Sequence, residues 1–291
     1  MKKVLGLLLL LGIYLIAFGI AGMLGTLFHS LGVPPLVNAL LIDLIATVIV
    51  YIAGLIEKSP SVYDPYWSLQ TFFLMLLLLI EYGNWNWGTG ILLAVVTIYS
   101  IRLTWNFALG FDDISYVDWR YADLRRKTGG AFQIVNFLGI HMMPTLVVYL
   151  ASVPMFLYCL GWNIHWLDSF ALVVMLGAVA LETISDLQMK KWIKTRTDRS
   201  EVNRTGLWNY SRHPNYLGEI LFWVGGALLL VRDLEHTWYW LSGAIVVILL
   251  FSFISIPMIE KHFLAYKPAY REYQKTTSVL LILPHKPIDN K

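Results

Sequence analysis

The sequence predicts an all-α, polytopic membrane helix bundle with seven to eight transmembrane helices. Three observations predict it. Of the 291 residues, 57% are apolar and 14% charged, whereas soluble domains run roughly 45–50% apolar and about 25% charged. Apolar runs recur from residue 4 to residue 258 instead of forming one block. Twelve Trp, 16 Tyr and 14 Phe suit a chain that crosses the membrane–water boundary many times. Together these exclude a disordered chain, a secreted disulfide scaffold and an ordinary cytosolic enzyme. A net charge of +3 is too mild to point to nucleic acid. The one cysteine, Cys159, allows neither an internal disulfide nor a thiolate cluster, and no metal is expected.

A spanning helix needs about 20 mostly apolar residues. Such segments lie at 4–28, 35–56, 69–82, 87–107, 134–160, 168–190, 214–231 and 237–258. The third is short, and a continuation through Trp85 and Trp87 would merge it with the fourth. The first follows Met1-Lys2-Lys3, a flank that also suits a signal peptide. Its apolar run is too long for a typical h-region and no small-residue cleavage site follows, so it is read as an uncleaved helix. Loops are expected at 57–68, 108–133 and 190–213. The tail, 259–291, reads as an interfacial helix with a Pro-containing end. No linker is long enough for a soluble domain, so residues 1–291 are read as a single integral membrane domain.

With eight crossings, every Lys and Arg except Arg102 and Arg232 falls on one side. The loop at 108–133 carries Arg120, Arg125, Arg126 and Lys127. The loop at 190–213 carries Lys190, Lys191, Lys194, Arg196, Arg199, Arg204 and Arg212. This asymmetry is the positive-inside pattern. Both termini and the large basic loops are expected in the cytoplasm, in the inner membrane if the chain is bacterial.

Ionisable groups within spanning helices cost roughly 2.5–3.5 kcal/mol each on insertion scales. Here they are Asp43, Glu81, Arg102, Glu182, Asp186 and Glu219. Asp43 reads as a protonated, helix-packing group and Glu81 as interfacial. Glu182, Asp186 and Lys190 are spaced i, i+4, i+8 and share one helix face. Two acids on one stripe repel unless a cation or a hydroxyl-rich ligand lies between them. No P-loop, GxGxxG, HExxH or paired CxxC is present, so a nucleotide would be held by helices and loops.

The strongest local signal is Gly206-Leu207-Trp208-Asn209-Tyr210-Ser211-Arg212-His213-Pro214-Asn215-Tyr216-Leu217-Gly218-Glu219. Proline suits the first turn of a helix, so a basic, aromatic loop feeds directly into a spanning helix. Asn215 and Glu219 lie one turn apart on one face. Arg212 and His213 beside a helix start make an anion site, and the Arg fork suits phosphate. A headgroup anchor would explain Arg212 and Tyr210 but not Asn215 and Glu219.

That segment, with Glu260-Lys261-His262-Phe263-Leu264 and Tyr270-Arg271-Glu272-Tyr273, resembles the C-terminal domain of the steroid 5-alpha-reductase superfamily. Its uncharacterised, mostly bacterial branch is the better likeness, over about residues 57–285, with residues 1–56 as N-terminal helices. Asp64-Pro65-Tyr66-Trp67-Ser68, Arg102-Leu103 and Asp118-Trp119-Arg120-Tyr121 match further motifs of that branch. The resemblance implies NADPH, held in part by an aspartate 29 residues ahead of the Asn of Asn-x-Leu-Gly-Glu. Asp186, Asn215 and Glu219 take those places. Where the steroid enzymes are His-rich, this chain reads Met258-Ile259-Glu260-Lys261-His262. Their substrate Glu and Tyr find no motif match, and Asp64 stands in for the Glu.

The resemblance implies a membrane oxidoreductase that delivers hydride from NADPH to a conjugated carbon–carbon double bond of a lipophilic, steroid- or lipid-like substrate. Membrane lipid and that small molecule are the expected partners. The phosphates are assigned to Arg204, Arg212 and the Pro214 helix start, with Tyr210 and His213 beside them, and the 2′-phosphate to the basic loop at 190–204. Tyr66 or Tyr121 would supply the proton, oriented by Asp64 or Arg102. The Arg-His-Pro-x-Tyr-x-Gly element is also similar to isoprenylcysteine carboxyl methyltransferases, which use S-adenosylmethionine. A non-enzymatic lipid-binding or transport protein is the third reading.

Overall fold

Backbone chemistry sets where each helix stops. The computed structural model describes residues 2–162 and 165–284, and its helices are α1 (Lys2–Ser30), α2 (Pro35–Ile56), α3 (Tyr66–Tyr82) and α4 (Trp87–Gly110). These are followed by α5 (Trp119–Thr128), α6 (Phe132–Val135) and α7 (Met143–Gly161), then α8 (Trp166–Thr195) and α9 (Pro214–Leu228). The last are α10 (Leu234–Thr237), α11 (Ser242–Leu250), α12 (Ile256–Leu264) and α13 (Tyr270–Thr276). No strand occurs among the described residues, where Ser211 and Ser278 form an isolated bridge. The fold is all-α.

Each of the eight predicted segments overlies a helix. Six helical runs among the described residues are long and apolar enough to cross a membrane, which is compatible with an integral membrane protein. The third and fourth segments do not merge. α3 ends on Gly83 in the left-handed region (φ 71°), whose N–H returns to the Leu79 carbonyl. Asn86 then opens α4 with a reciprocal capping box to Thr89, both bonds 3.0 Å.

All three expected loops are partly helical, the first because α3 already begins at Tyr66. α8 runs to Thr195, so Lys190, Lys191 and Lys194 sit on its last turns instead of in a loop. Thirty residues extend about 45 Å, well beyond a hydrocarbon core of about 30 Å, and long basic side chains tolerate that boundary by reaching outward. α5 occupies the middle of 108–133 and has no buried residue. The tail, where an interfacial helix is expected, holds the end of α12 and all of α13, and its Pro-containing end beyond 284 lies outside the described residues.

The chain divides into two compact units, Met1–His165 and Trp166–Lys291. In the first, α2 and α3 pack against α1 and α7 around a polar core. Tyr66 Oη donates to Asp43 Oδ1 (2.7 Å), Gln70 Nε2 to Asp43 Oδ2 (3.1 Å), and Thr145 bonds Thr47 and Tyr63. Buried polar groups at this depth are costly unless hydrogen-bonded, and Asp43 has its donors. From α6 to α7 the chain passes through a π-helical stretch, Asn136–Met142, that turns His141 inward.

In the second unit α8 and α9 make the tightest helix pair. A Cβ at Gly218 would lie 2.7 Å from Glu182 Cβ, and one at Gly225 2.7 Å from Met175 Cγ. Small residues let the two backbones close. At one end of this pair, Arg232 donates to the buried Asp168 at 3.2 Å, tying the turn after α9 to the start of α8.

Candidate functional site

The first unit holds a hydrogen-bonded tyrosine–carboxylate pair. Pro60–Tyr63 forms a short 3-10 turn, and Asp64 follows it. The chain entering α5 is bound to that turn: Ser59 Oγ donates to the Tyr116 carbonyl (2.6 Å) and the Asp118 N–H to Ser61 Oγ (3.1 Å). Asp118 caps α5 through the Arg120 N–H and also holds the Arg120 side chain at 2.7 Å. These ties bring Tyr121 to Asp64, with Tyr121 Oη donating to Oδ1 at 2.5 Å. Burial pushes the Asp64 carboxyl up to about 6, against the opposing pull of Tyr121 and Arg120. Of the four proposed catalytic residues, Tyr121 and Asp64 are therefore together. Tyr66 is paired with Asp43 instead, and Arg102 lies half-buried on α4.

The second unit holds a cavity of about 380 Å³ between the end of α8, the loop at 202–213, the start of α9, and α12–α13. Ligand pockets fall at roughly 300–1,000 Å³. Trp208 fastens the loop to α8 through Nε1 on the Ser185 carbonyl (3.0 Å), and the Leu207 N–H bonds Gln188 (2.8 Å). Gly206 takes φ 58°, and a Cβ there would strike Gln188.

Glu260 organises one wall. Its carboxylate accepts from Arg212 Nε (2.7 Å), His213 Nε2 (3.0 Å), Gln274 Nε2 (2.7 Å) and Tyr270 Oη (3.3 Å). Arg212 Nη1 also donates to the carbonyls of Gln274 (2.9 Å) and Thr277 (2.7 Å). Arg212, assigned to phosphate in the sequence, uses its fork here to tie the α9 start to α12 and α13. Tyr273 Oη donates to the Trp208 carbonyl and completes the tie. Because Glu260 can only accept, His213 carries its proton on Nε2. Burial lowers the His213 pKa despite Glu260, and its ring stacks on Tyr216 at 5.3 Å.

Arg212, His213 and Asn215 line the cavity, and Asp186, Arg204, Tyr210 and Glu219 do not. Arg204 donates to Glu272 at 3.2 Å and lies over Tyr273. Tyr210 points outward, 44% exposed. Glu219 is buried and accepts from Trp223 Nε1 at 2.7 Å. Asp186 lies half-buried on α8.

On the opposite wall, sequence reasoning named Arg196 within the basic loop but missed Lys267 and Trp192. Lys267 is buried, with its ammonium 4.8 Å from the Phe263 ring centroid, 5.3 Å from Trp192 and 5.7 Å from Tyr266. Arg196 lies over Trp192 at 5.4 Å. Burial, then Arg196, brings the Lys267 pKa down to about 8. The readable signal was the one-turn spacing of Trp192 and Arg196. Lys267, between Tyr266 and Pro268, gives no periodic cue.

The chain is 26% identical over 268 residues to an uncharacterized protein of Schizosaccharomyces pombe, covering 82% of this chain and 77% of the relative. No solved structure matches it. Residues 50–277 match the family described as protein of unknown function DUF1295, and the chain belongs to that family.

Proposed function

We propose that this protein is a membrane NADPH-dependent reductase acting on a conjugated carbon–carbon double bond of a lipophilic substrate. The cavity of the second unit carries the reading. It combines aromatic walls with Arg196, Lys267, His213 and Asn215 on its surface, and among these Glu260 pairs only with His213, through a carboxylate it shares with Arg212. Such a surface suits an anionic nucleotide. It disfavours the cationic S-adenosylmethionine of the methyltransferase reading, because Lys267 and Arg196 already crowd two positive charges together. The family falls in the steroid 5-alpha-reductase-like grouping, which agrees with this reading.

The donor set fits NADPH. The Asn215 side chain offers both a donor and an acceptor to a carboxamide, and Lys267 and Arg196 offer positive charge to phosphate. When bound, NADPH supplies hydride for the β-carbon of the enone. Charge then develops on the substrate oxygen, which needs a positioned proton donor. In the first unit, Tyr121 and Asp64 form a hydrogen-bonded pair that suits a proton relay, in which a protonated Asp64 returns to the Tyr121 oxygen the proton that Tyr121 gives up. Both termini and the basic loops are assigned to the cytoplasm on the charge asymmetry of the sequence.

The test is an enone library assayed with the purified protein and NADPH. Oxidation of NADPH matched by saturation of one substrate class supports the reading. Absence of any NADPH binding defeats it.

A further inference from the structure

A row of hydroxyls runs through the polar core of the first unit. Tyr63 Oη and Thr145 Oγ1 are 2.8 Å apart, and Thr145 Oγ1 and Thr47 Oγ1 2.9 Å. Thr47 lies one helical turn from Asp43 and within hydrogen-bonding reach of the Tyr66 hydroxyl. Tyr66 Oη donates in turn to Asp43 Oδ1 at 2.7 Å. Each of these five side chains belongs to a residue at most 1% exposed.

The order of donors is forced. A hydroxyl has one proton to give, and an ionised Asp43 can only accept. Tyr66 therefore gives to Asp43, Thr47 to Tyr66, Thr145 to Thr47 and Tyr63 to Thr145. All four dipoles point the same way, and each polarises the next. With Asp43 protonated the row runs in the opposite direction, and the Tyr63 proton is released to a further acceptor.

Such an acceptor is His141, fully buried and turned inward by the π-helical stretch, a feature frequent at functional sites. Its Nδ1 lies 3.1 Å from the Asn136 carbonyl, which can only accept, so Nδ1 carries the proton. Nε2 is a buried lone pair with no hydrogen-bond partner among the described residues. The His141 ring is 4.8 Å from that of Tyr63 and 5.1 Å from that of Tyr51. Tyr51 uses its hydroxyl on the Gln133 carbonyl at 3.2 Å, so Tyr63 is the hydroxyl nearer to hand for Nε2. Gly54 marks the level of His141 on α2, because a Cβ there would sit 3.9 Å from Nε2. Asp43 comes three turns earlier on the same helix, about 16 Å along its axis.

We propose that Tyr63, Thr145, Thr47 and Tyr66 form a proton wire between His141 and Asp43, which loads and unloads a carboxyl inside the membrane without opening the helix bundle. Loading moves one proton. His141, as imidazolium, gives the Nε2 proton to Tyr63, each hydroxyl passes its own proton to the next, and Asp43 takes the last. His141 ends neutral, Asp43 ends protonated, and every hydroxyl still carries one proton. Unloading is the reverse, and water at the 57–68 loop recharges His141. The step between Tyr63 and His141 is longer than a hydrogen bond and takes one bridging water. Asp43 and Asp64 both act on Tyr63, and when ionised they attract protons to this row. The wire operates whether or not the chain is a reductase.

Infrared difference spectra of the full chain in detergent, recorded on transfer from H2O to D2O, test this. The C=O band of protonated Asp43 is identified by its loss in Asp43→Asn, and its downshift times proton exchange at that carboxyl. Thr145→Val and Thr47→Val each remove one hydroxyl, and His141→Phe removes the base. Thermal melts report folding, and where a valine variant does not fold the alanine variant takes its place. In the unsubstituted chain the carboxyl should exchange faster than the helix amides. Each of the three variants should slow it about tenfold or more, toward the rate of local opening, and Thr145→Ser should restore it. A rate unchanged by both hydroxyl deletions overturns the wire, as does a carboxyl that exchanges only together with the helix amides. Absence of a protonated Asp43 band at every pH where the protein is folded overturns it as well. Slowing by the hydroxyl deletions but not by His141→Phe overturns His141 as the entry to the row.

Discussion

Tyr121 donates to Asp64 at 2.5 Å across 57 residues of chain, and both side chains are half-buried. Tyr66, only two residues from Asp64, donates to Asp43 instead. The two tyrosines therefore predict different losses. Tyr121→Phe should lower kcat by about a hundredfold or more, the lower range for loss of a positioned acid, and leave NADPH affinity unchanged. Tyr66→Phe should lower the melting temperature in detergent, because Asp43 loses a donor at a cost of about 1–3 kcal/mol. Steady-state kinetics beside thermal melts of both variants check this, and the reverse pattern would exchange their roles.

Asp64 gives the pH dependence. Burial raises its pKa to about 6, so in the folded protein it holds a proton that a free carboxyl would already have released. The relay needs that proton. Turnover should fall as pH rises through about 6, and Asp64→Asn should abolish this step in the profile. Stability follows the same sign: the folded state binds more protons between the free carboxyl range and about 6, so stability declines as pH rises across that window.

Glu260 and Arg212 form a pair that is nearly water-free. Removing one member leaves a buried charge unmatched, at roughly 3–5 kcal/mol. Arg212→Ala and Glu260→Ala should each lower the melting temperature substantially, and Arg212→Lys should not restore it, because one ammonium cannot reach Glu260 and the carbonyls of Gln274 and Thr277 together. A double variant more stable than either single one identifies the pair as coupled.

Asn215 lines the cavity one residue beyond Pro214. Asn215→Ala should leave melting unchanged while NADPH affinity falls by about tenfold or more, the loss of a hydrogen bond whose partner is left buried. Arg232→Ala, whose side chain serves Asp168, should leave cofactor affinity unchanged.

Helix positions were legible because apolar length is a one-dimensional property. The break between α3 and α4 was also written locally, in Gly83 and in the Asn86-x-x-Thr89 cap. α8 was underestimated at its end because Lys190, Lys191 and Lys194 read as loop, whereas a helix leaving the membrane accepts them. The cavity was half legible. His213 and Asn215 follow from the motif, but the use of Arg212 depends on Glu260, 48 residues away. Lys267 depends on rings from two different segments, Trp192 on α8 and Phe263 on α12. Tertiary partners of this kind leave no spacing to read.

The most direct test of the central claim is a titration of the purified full-length protein in detergent with NADPH, NADH and S-adenosylmethionine. The proposed reductase function predicts saturable NADPH binding, weaker NADH binding and no competition by S-adenosylmethionine. Saturable binding of S-adenosylmethionine with none of NADPH would contradict it.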